Sequence, residues 1–279
     1  MKNYSSGLYV VSTPIGNLDD ITIRSIDVLK KSDIILCEDT RRSLKLLNHL
    51  KIKKKLISIH KFNEKKQVNK VIEYLNEGKI LSLISDAGTP VLSDPGNLLI
   101  KECIYKKIKI FPIPGASSIT AAVSVSGFED QFIFYGFLPK TENELDKSLS
   151  KLNEINYSLV FFISGVKIDF YLNSFKKYFS DRQIMIAREI TKLHETYYRG
   201  DIKSIKLFKS SLKGELTIVI SKKDSKNIVI NETDIKLQAK IYLKKYSLKD
   251  VVELISKKEN VPKKKVYKIC LEIKDEKNI

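Results

Sequence analysis

The 279-residue chain is 43% hydrophobic, enough apolar surface for a packed core, which excludes a disordered polymer. Lys and Arg number 50 against 33 Asp and Glu, and the net charge of +17 points to a polyanionic partner, nucleic acid ahead of membrane, unless it marks only a solvated lysine-rich surface. No apolar run reaches the ~18 residues of a membrane span. The N-terminus carries no signal-peptide pattern, and Cys37, Cys103 and Cys270 lie far apart in apolar contexts. A cytoplasmic protein with buried free thiols, no disulfides and no metal site is expected.

Taken in order, residues 8–11 form a short apolar strand that runs into the loop Ser12-Thr13-Pro14-Ile15-Gly16-Asn17-Leu18. Ile21, Ile23, Ile26, Val28 and Leu29 have the spacing of an amphipathic helix. Residues 34–37 read as a buried strand, followed at its carboxyl end by Glu38-Asp39-Thr40-Arg41-Arg42. Leu44, Leu47 and Leu50 mark a helix, residues 56–59 a strand ending at His60, and Val68, Val71, Ile72 and Leu75 a helix capped by Gly78. Residues 80–84 are a further strand, and the stretch after it is the most constrained of the chain: Ser85-Asp86-Ala87-Gly88-Thr89-Pro90, then Ser93-Asp94-Pro95-Gly96. Neither helix nor strand tolerates that composition. Asp94 is the expected N-cap of the next helix, with Pro95 at its first position. Residues 109–113 form a strand, and Pro114-Gly115-Ala116-Ser117-Ser118 turns into a small-residue helix. Strands alternating with helices predict a parallel sheet, with Pro/Gly loops gathered at the carboxyl edge where ligands bind.

A second α/β unit starts near Asp130. Strands are expected over 132–137, 158–163, 183–187, 196–199 and 216–220, and helices over 142–153, 168–179 and 202–212. Residues 221–233 read as a polar linker. The tail carries two helical patterns: Ser247 caps the first, and Val261-Pro262 turns into the second, which opens on Lys263, Lys264 and Lys265. This reads as a helix-turn-helix-like element, with phosphate contacts and a merely solvated lysine face evenly weighed. The expected domains are 1–129, 130–222 and 234–279.

Familiar nucleotide signatures fail: there is no G-x-x-x-x-G-K-[ST] and no G-x-G-x-x-G after the first strand. No H-x-x-x-H or C-x-x-C pair offers a metal site. Loops rich in backbone polar groups and carboxylates suit a neutral or cationic ligand better than a triphosphate.

Five motifs in order carry a resemblance: Ser12 to Leu18, Glu38-Asp39-Thr40-Arg41, Ser85 to Gly96, Pro114 to Ser118, and Ala187-Arg188-Glu189-Ile190-Thr191-Lys192-Leu193-His194-Glu195. Over residues 8 to about 220 the chain resembles the bacterial ribosomal RNA small-subunit methyltransferase I family of the tetrapyrrole methylase superfamily, and its tail resembles that family's helix-turn-helix extension. The resemblance implies two α/β domains of tetrapyrrole-methylase type, with S-adenosylmethionine in the cleft between them and a small C-terminal helical extension. It implies a homodimer that 2′-O-methylates a cytidine in the decoding region of 16S rRNA on the small subunit, without a metal. Pro14, Ser85, Asp86, Ala87, Gly88, Thr89, Gly115, Ala116, Ser117 and Ser118 would bind the donor.

A ribose hydroxyl must lose its proton during transfer. Glu38, Asp39, Glu189 and Lys192, together with His60, are the candidate acceptors or orienters. Each carboxylate has a purely structural alternative, such as an ion pair of Asp39 with Arg41 or of Glu189 with Arg188. Arg41, Arg42 and Arg188, with Lys263, Lys264 and Lys265 of the tail, suit RNA phosphates. One departure stands out: where the family has Tyr-Glu-Ser-Pro-His-Arg, this chain has Phe162-Ile163-Ser164-Gly165-Val166-Lys167. Two other readings stand beside this one: a methylase of a small tetrapyrrole-like substrate, and a nucleic-acid-binding regulator using the terminal helices.

Overall fold

The computed structural model describes residues 4–208, 212–223, 232–259 and 261–275. The first five strands are β1 (Gly7–Val11), β2 (Ile34–Cys37), β3 (Lys55–Ser58), β4 (Ile80–Leu83) and β5 (Ile110–Ile113). They pair in parallel in the order β3-β2-β4-β1-β5. A parallel sheet must be covered on both faces, because its crossover helices pack there. Alternate residues accordingly point to opposite cores. Leu8, Leu36, Leu81 and Leu83 pack with α3 (Glu64–Asn76) and α4 (Asn97–Tyr105). Tyr9, Val11, Ile35 and Cys37 pack with α1 (Ile23–Lys31) and α2 (Thr40–His49).

The start of α4 differs from the sequence expectation. Its N-cap is Gly96 rather than Asp94, and the helix begins at Asn97 rather than Pro95. Gly96 has φ +123°, and a Cβ there would stand 2.8 Å from Leu83 Cδ2. The chain turns into the helix at that close approach, which leaves Asp94 in the preceding loop, facing a cavity.

A second sheet contains β6 (Phe132–Phe137), β7 (Ser158–Ser164), β8 (Gln183–Arg188), β9 (Thr196–Asp201) and β10 (Glu215–Ile220) in the order β6-β7-β10-β8-β9. Only β6 and β7 run parallel. One face packs on α6 (Glu142–Asn153) and α7 (Ile168–Tyr178) through Leu145, Leu149, Phe161, Phe175 and Ile186. The other face, with Val160, Met185, Ala187 and Val219, receives Ile119 and Ala122 of α5 (Ser118–Ser124) and Ile15 of the loop after β1. This apolar seam joins the two sheets, supported by Arg199 Nη2 donating to the Val125 carbonyl at 2.7 Å and by the Lys222–Glu129 ion pair at 3.0 Å.

The helix expected over 202–212 is absent among the described residues, and Lys209 to Ser211 lie outside them. Ile202, Ile205, Phe208 and Leu212 have helix-like spacing, yet they pack on the second core from an irregular segment. The Phe208 N–H goes to Asp169 Oδ1 (2.9 Å) instead of to a carbonyl one turn back. Arg182 is 1% exposed and ties the stretch between α6 and β7 to the end of β10. Its guanidinium donates to the carbonyls of Asn153, Ile155, Tyr157 and Ser221.

The chain divides into two compact units, Met1–Lys222 and Lys223–Ile279. Of the expected linker, 224–231 lies outside the described residues. Among its described residues the second unit has three helices rather than the two expected: α8 (Glu232–Tyr242), α9 (Leu248–Glu259) and α10 (Lys263–Asp275). Ser247 caps α9 by accepting the Asp250 N–H at 3.3 Å. The extra helix exists because Ile235 and Ala239 complete a core with Val251, Ile255, Val266 and Ile269, which α9 and α10 would otherwise expose.

Candidate functional site

Four loops leave the carboxyl ends of parallel strands β1, β2, β4 and β5, so topology alone brings them to one edge of the first sheet. Hydrogen bonds then stitch them together. Thr13 and Gly88 exchange backbone bonds of 2.9 and 3.0 Å. The Ser12 and Thr89 hydroxyls lie 3.0 Å apart, and Thr89 also donates to the Ala116 carbonyl at 3.3 Å. A Cβ on Gly115 would press on Ser12 at 2.9 Å, so the loop after β5 seats only as glycine there. The Asp39 N–H donates to Asp86 Oδ1 at 3.2 Å, and Arg42 pairs with Asp86 at 3.3 Å.

The loop after β8 closes the site from the second sheet. Asn17 N–H donates to the Thr191 hydroxyl at 3.0 Å, and Gly16 lies so close to Ile190 and Thr191 that a Cβ would reach within 2.9 Å of the Ile190 carbonyl. Between these loops lies a cavity of about 480 Å³. Its first wall is Ile15, Glu38, Arg42, Asp86 to Thr89, Leu92 to Asp94 and Ser117 to Ile119. Its second is Phe137, Phe162 to Ser164, Glu189, Ile190, Lys192 and Gly214 to Thr217.

The backbone around this cavity is strained. Val91 (φ +75°), Ser93 (+68°), Glu189 (+50°) and Thr191 (+64°) all adopt left-handed conformations without being glycine. Such residues cost on the order of 1–3 kcal/mol each and concentrate at functional sites, held by surrounding structure. Here the rest of the two loops supplies that support: Glu189 Oε1 accepts from the Glu215 N–H and from Lys192 Nζ, both at 3.0 Å.

Five carboxylates (Glu38, Asp86, Asp94, Glu189, Glu215) and two cations (Arg42, Lys192) line the cavity, so a strongly basic chain has an acidic pocket. Burial raises the Glu38 carboxyl above its ordinary range, the nearby Asp86 charge adds to this, and Arg42 opposes it. Burial and the Glu38 charge push Asp94 up to about 6. Glu189 goes the other way: burial opposes ionisation, but the Glu215 N–H and the Lys192 ammonium together hold it below the usual range. Burial works against the Lys192 charge, yet Glu189 and Glu215 keep its pKa raised, so it stays an ammonium. Among the described residues, no group of three or more His, Cys, Asp or Glu side chains could hold a metal ion.

The candidates from sequence within Met1–Lys222 fall into three groups. Asp86, Ala87, Gly88, Thr89, Ser117 and Ser118 line the cavity, as do Glu38, Glu189, Lys192 and Arg42. Pro14, Ser85, Gly115 and Ala116 are not part of that lining: Pro14 is buried, the Ser85 hydroxyl donates to the Ala87 carbonyl at 3.1 Å, Gly115 is exposed and the Ala116 carbonyl accepts from Thr89. Asp39, Arg41 and Arg188 stand apart from the cavity. Asp39 caps α2 and binds Arg41 at 2.7 Å, which lowers its pKa to about 2. Arg188 Nε donates to the Lys213 carbonyl at 3.0 Å, so the partner of Glu189 is Lys192 and not Arg188. Lys263, Lys264 and Lys265 are exposed at the start of α10, Lys263 against Glu253 at 3.3 Å.

Sequence reasoning missed Asp94 as a cavity residue because an Asp-Pro pair reads as a helix start. It also missed Phe137, which a β-bulge turns into the cavity: the register shifts between Phe134 and Gly136, and Gly136 has φ +87°. A glycine inside an aromatic strand was the available signal.

The family profile of the tetrapyrrole (corrin/porphyrin) methylases matches residues 7–206. Among curated relatives, the ribosomal RNA small subunit methyltransferase I of Thermotoga maritima is 46% identical over 222 residues, 78% of this chain and 99% of that protein. The protein of the same name from Rickettsia prowazekii is 39% identical over 272 residues, 95% and 96% of the two chains. Among solved structures, the methyltransferase CobJ superposes with a TM-score of 0.60 at 15% identity, covering 78% of this chain and 95% of its own. A uroporphyrin-III C-methyltransferase from Thermus thermophilus, complexed with S-adenosylhomocysteine, does so at 0.53 and 13% identity, covering 76% and 96%. At those identities the likeness to the two structures is one of fold.

Proposed function

The chain belongs to the tetrapyrrole (corrin/porphyrin) methylase family, in the branch of the ribosomal RNA small subunit methyltransferases I, and on that premise we propose that it methylates rRNA with S-adenosylmethionine. The finer reading is transfer to the 2′-oxygen of a cytidine ribose in the decoding region of 16S rRNA.

The observation that carries the proposal is the acid-lined cavity in a chain of net charge +17. A positively charged methyl donor is favoured inside such a cavity, while the basic exterior attracts the polyanionic acceptor. The cavity also fits the donor in size, since small-molecule sites run from about 300 to 1,000 Å³. When bound, the donor supplies a methyl carbon attached to a sulfonium. The Asp86–Thr89 and Ser117–Ile119 segments would hold it, with Glu38, Asp86 and Asp94 facing its charge.

Glu38 is the proposed proton acceptor for the ribose hydroxyl. It reaches the cavity, and partial burial raises its proton affinity toward that of a useful base. Asp39, tied up by Arg41, and Lys192, held as an ammonium, do not serve as acceptors. Lys192 instead fixes Glu189 and Glu215 on the opposite wall. Holding donor and acceptor in line contributes a share of the roughly 7–11 kcal/mol that positioning can supply.

The test is methyl transfer from labelled S-adenosylmethionine to isolated small subunits, with the product nucleoside identified by mass spectrometry. A 2′-O-methylated cytidine is expected. Tight donor binding without any transfer to RNA, or transfer to a porphyrin-like acceptor instead, overturns the reading. The protein is further proposed to act as a cytoplasmic homodimer, its mass in solution being the check; no helix among the described residues is long and apolar enough to cross a membrane.

A further inference from the structure

A second hollow of about 400 Å³ opens beside the main cavity and shares Glu38, Arg42 and Asp86 with it. Asp39, Thr40, Arg41, Ser58 and His60 complete its rim. Next to it stands Phe62, 92% exposed, its ring set edge-on to His60 with centroids 6.2 Å apart. With Leu193, Phe62 is the most exposed large apolar side chain among the described residues. It is held on a rigid turn. Asn63 Oδ1 accepts the His60 N–H at 2.8 Å, Asn63 Nδ2 donates to the Ser58 carbonyl at 3.1 Å, and Phe62 N–H donates to His60 Nδ1 at 3.3 Å. Two of the three carboxylates here are offset by cations, Asp39 by Arg41 at 2.7 Å and Asp86 by Arg42 at 3.3 Å, and the third, Glu38, is shared with the main cavity. Both arginines remain largely exposed, with side chains 87% and 67% accessible. An aromatic platform beside exposed guanidinium groups, opening into an active-site cavity, is the recognition chemistry of unpaired RNA, in which bases stack and phosphates take the arginines.

We propose that this hollow and the Phe62 ring seat an unpaired nucleotide neighbouring the one that is methylated, its base stacked on Phe62 and its phosphate on Arg41 and Arg42. The proposal rests on the rRNA reading above and adds a subsite to it. The seat lies on the first-sheet side, so single-stranded RNA crosses the mouth of the cavity from Phe62 toward Glu38.

The experiment compares the full chain with Phe62→Ala, Phe62→Leu and Phe62→Tyr. It measures affinity for a single-stranded oligoribonucleotide by anisotropy, donor affinity by calorimetry, and KM and kcat on small subunits. Phe62→Ala is expected to weaken RNA binding and raise KM by about five- to a hundredfold, the range for loss of one stacked base. Donor affinity stays within twofold, Phe62→Tyr restores binding, and Phe62→Leu, which keeps bulk without a π face, does not. Unchanged RNA affinity in Phe62→Ala, or equal rescue by Leu and Tyr, overturns the subsite. Wild-type protein that binds the oligoribonucleotide through Phe62 but transfers no methyl group overturns the catalytic reading and leaves the subsite standing.

Discussion

Replacing Asp94 by Asn removes a charge that the folded protein holds at a cost. The Asp94 carboxyl titrates near 6, against 3.8 for the group in an open chain, because burial and then the Glu38 charge disfavour ionisation, with Asp86 and Glu215 adding; Ser85 partly offsets this. The folded-state value lies above the unfolded one, so the folded protein binds this proton more tightly. Stability is unaffected by the group below about pH 4, falls as pH rises through the interval between the two values, and stays lowered above about 6. A shift of two units corresponds to ~3 kcal/mol. Part of the carboxyl reaches solvent, and screening there reduces the effect to about 1–2 kcal/mol. Asn keeps the shape without the charge. The Asp94→Asn variant is therefore expected to gain about 1–2 kcal/mol in urea unfolding at pH 7.5, the gain shrinking toward zero as pH approaches 4. Donor affinity should fall severalfold in the same variant, since the cation loses a counter-charge: the site is kept at the expense of stability. A gain equal at both pH values, or none at pH 7.5, would refute the assignment of a strained buried charge.

Gly16→Ala places a Cβ against the Ile190 carbonyl and the Lys192 side chain, forcing the loop after β1 off the loop after β8. It should cost roughly 1–3 kcal/mol in thermal unfolding and most of the donor affinity, read by calorimetry. Arg182→Ala strips the carbonyls of Asn153, Ile155, Tyr157 and Ser221 of their donor and leaves a void. A loss of about 3 kcal/mol or more is expected in urea unfolding, and Arg182→Lys should recover little of it, because one ammonium cannot span four acceptors. Lys192→Met leaves Glu189 and Glu215 without their ammonium, so Glu189 should titrate higher. The resulting destabilisation is present at neutral pH and fades as pH falls through the carboxylate range, a trend a pH series of melting temperatures would reveal. Raising salt from 50 to 200 mM should raise KM for the small subunit by more than tenfold while leaving donor affinity nearly unchanged, because only the RNA interaction depends on displaced counterions.

The βα repeat through the first sheet was legible because each apolar run is short and punctuated by Pro and Gly, and because parallel topology sends every strand-ending loop to the same edge. The same logic failed where local spacing imitates structure. Ile202, Ile205, Phe208 and Leu212 recur like a helix face, but each docks separately on a core that contacts with α7 and the second sheet create. Asp94-Pro95 looks like a helix start, but Leu83 crowds Gly96 and delays the turn. The helix α8 had weak periodicity of its own and takes shape through Ile235 and Ala239 packing on α9 and α10.

By itself the sequence determined the loops, their order, the basic balance, and the family those motifs mark. Only tertiary structure decided which side chains share a cavity. Glu38, Asp94, Phe137 and Lys192 are spread over 155 positions of the chain and converge through a β-bulge, a crowded glycine and a loop from the second sheet. Local propensity acts over a few residues, whereas the electrostatics that raise one carboxyl and lower another depend on groups brought within a few ångströms by packing, and no periodicity records those distances.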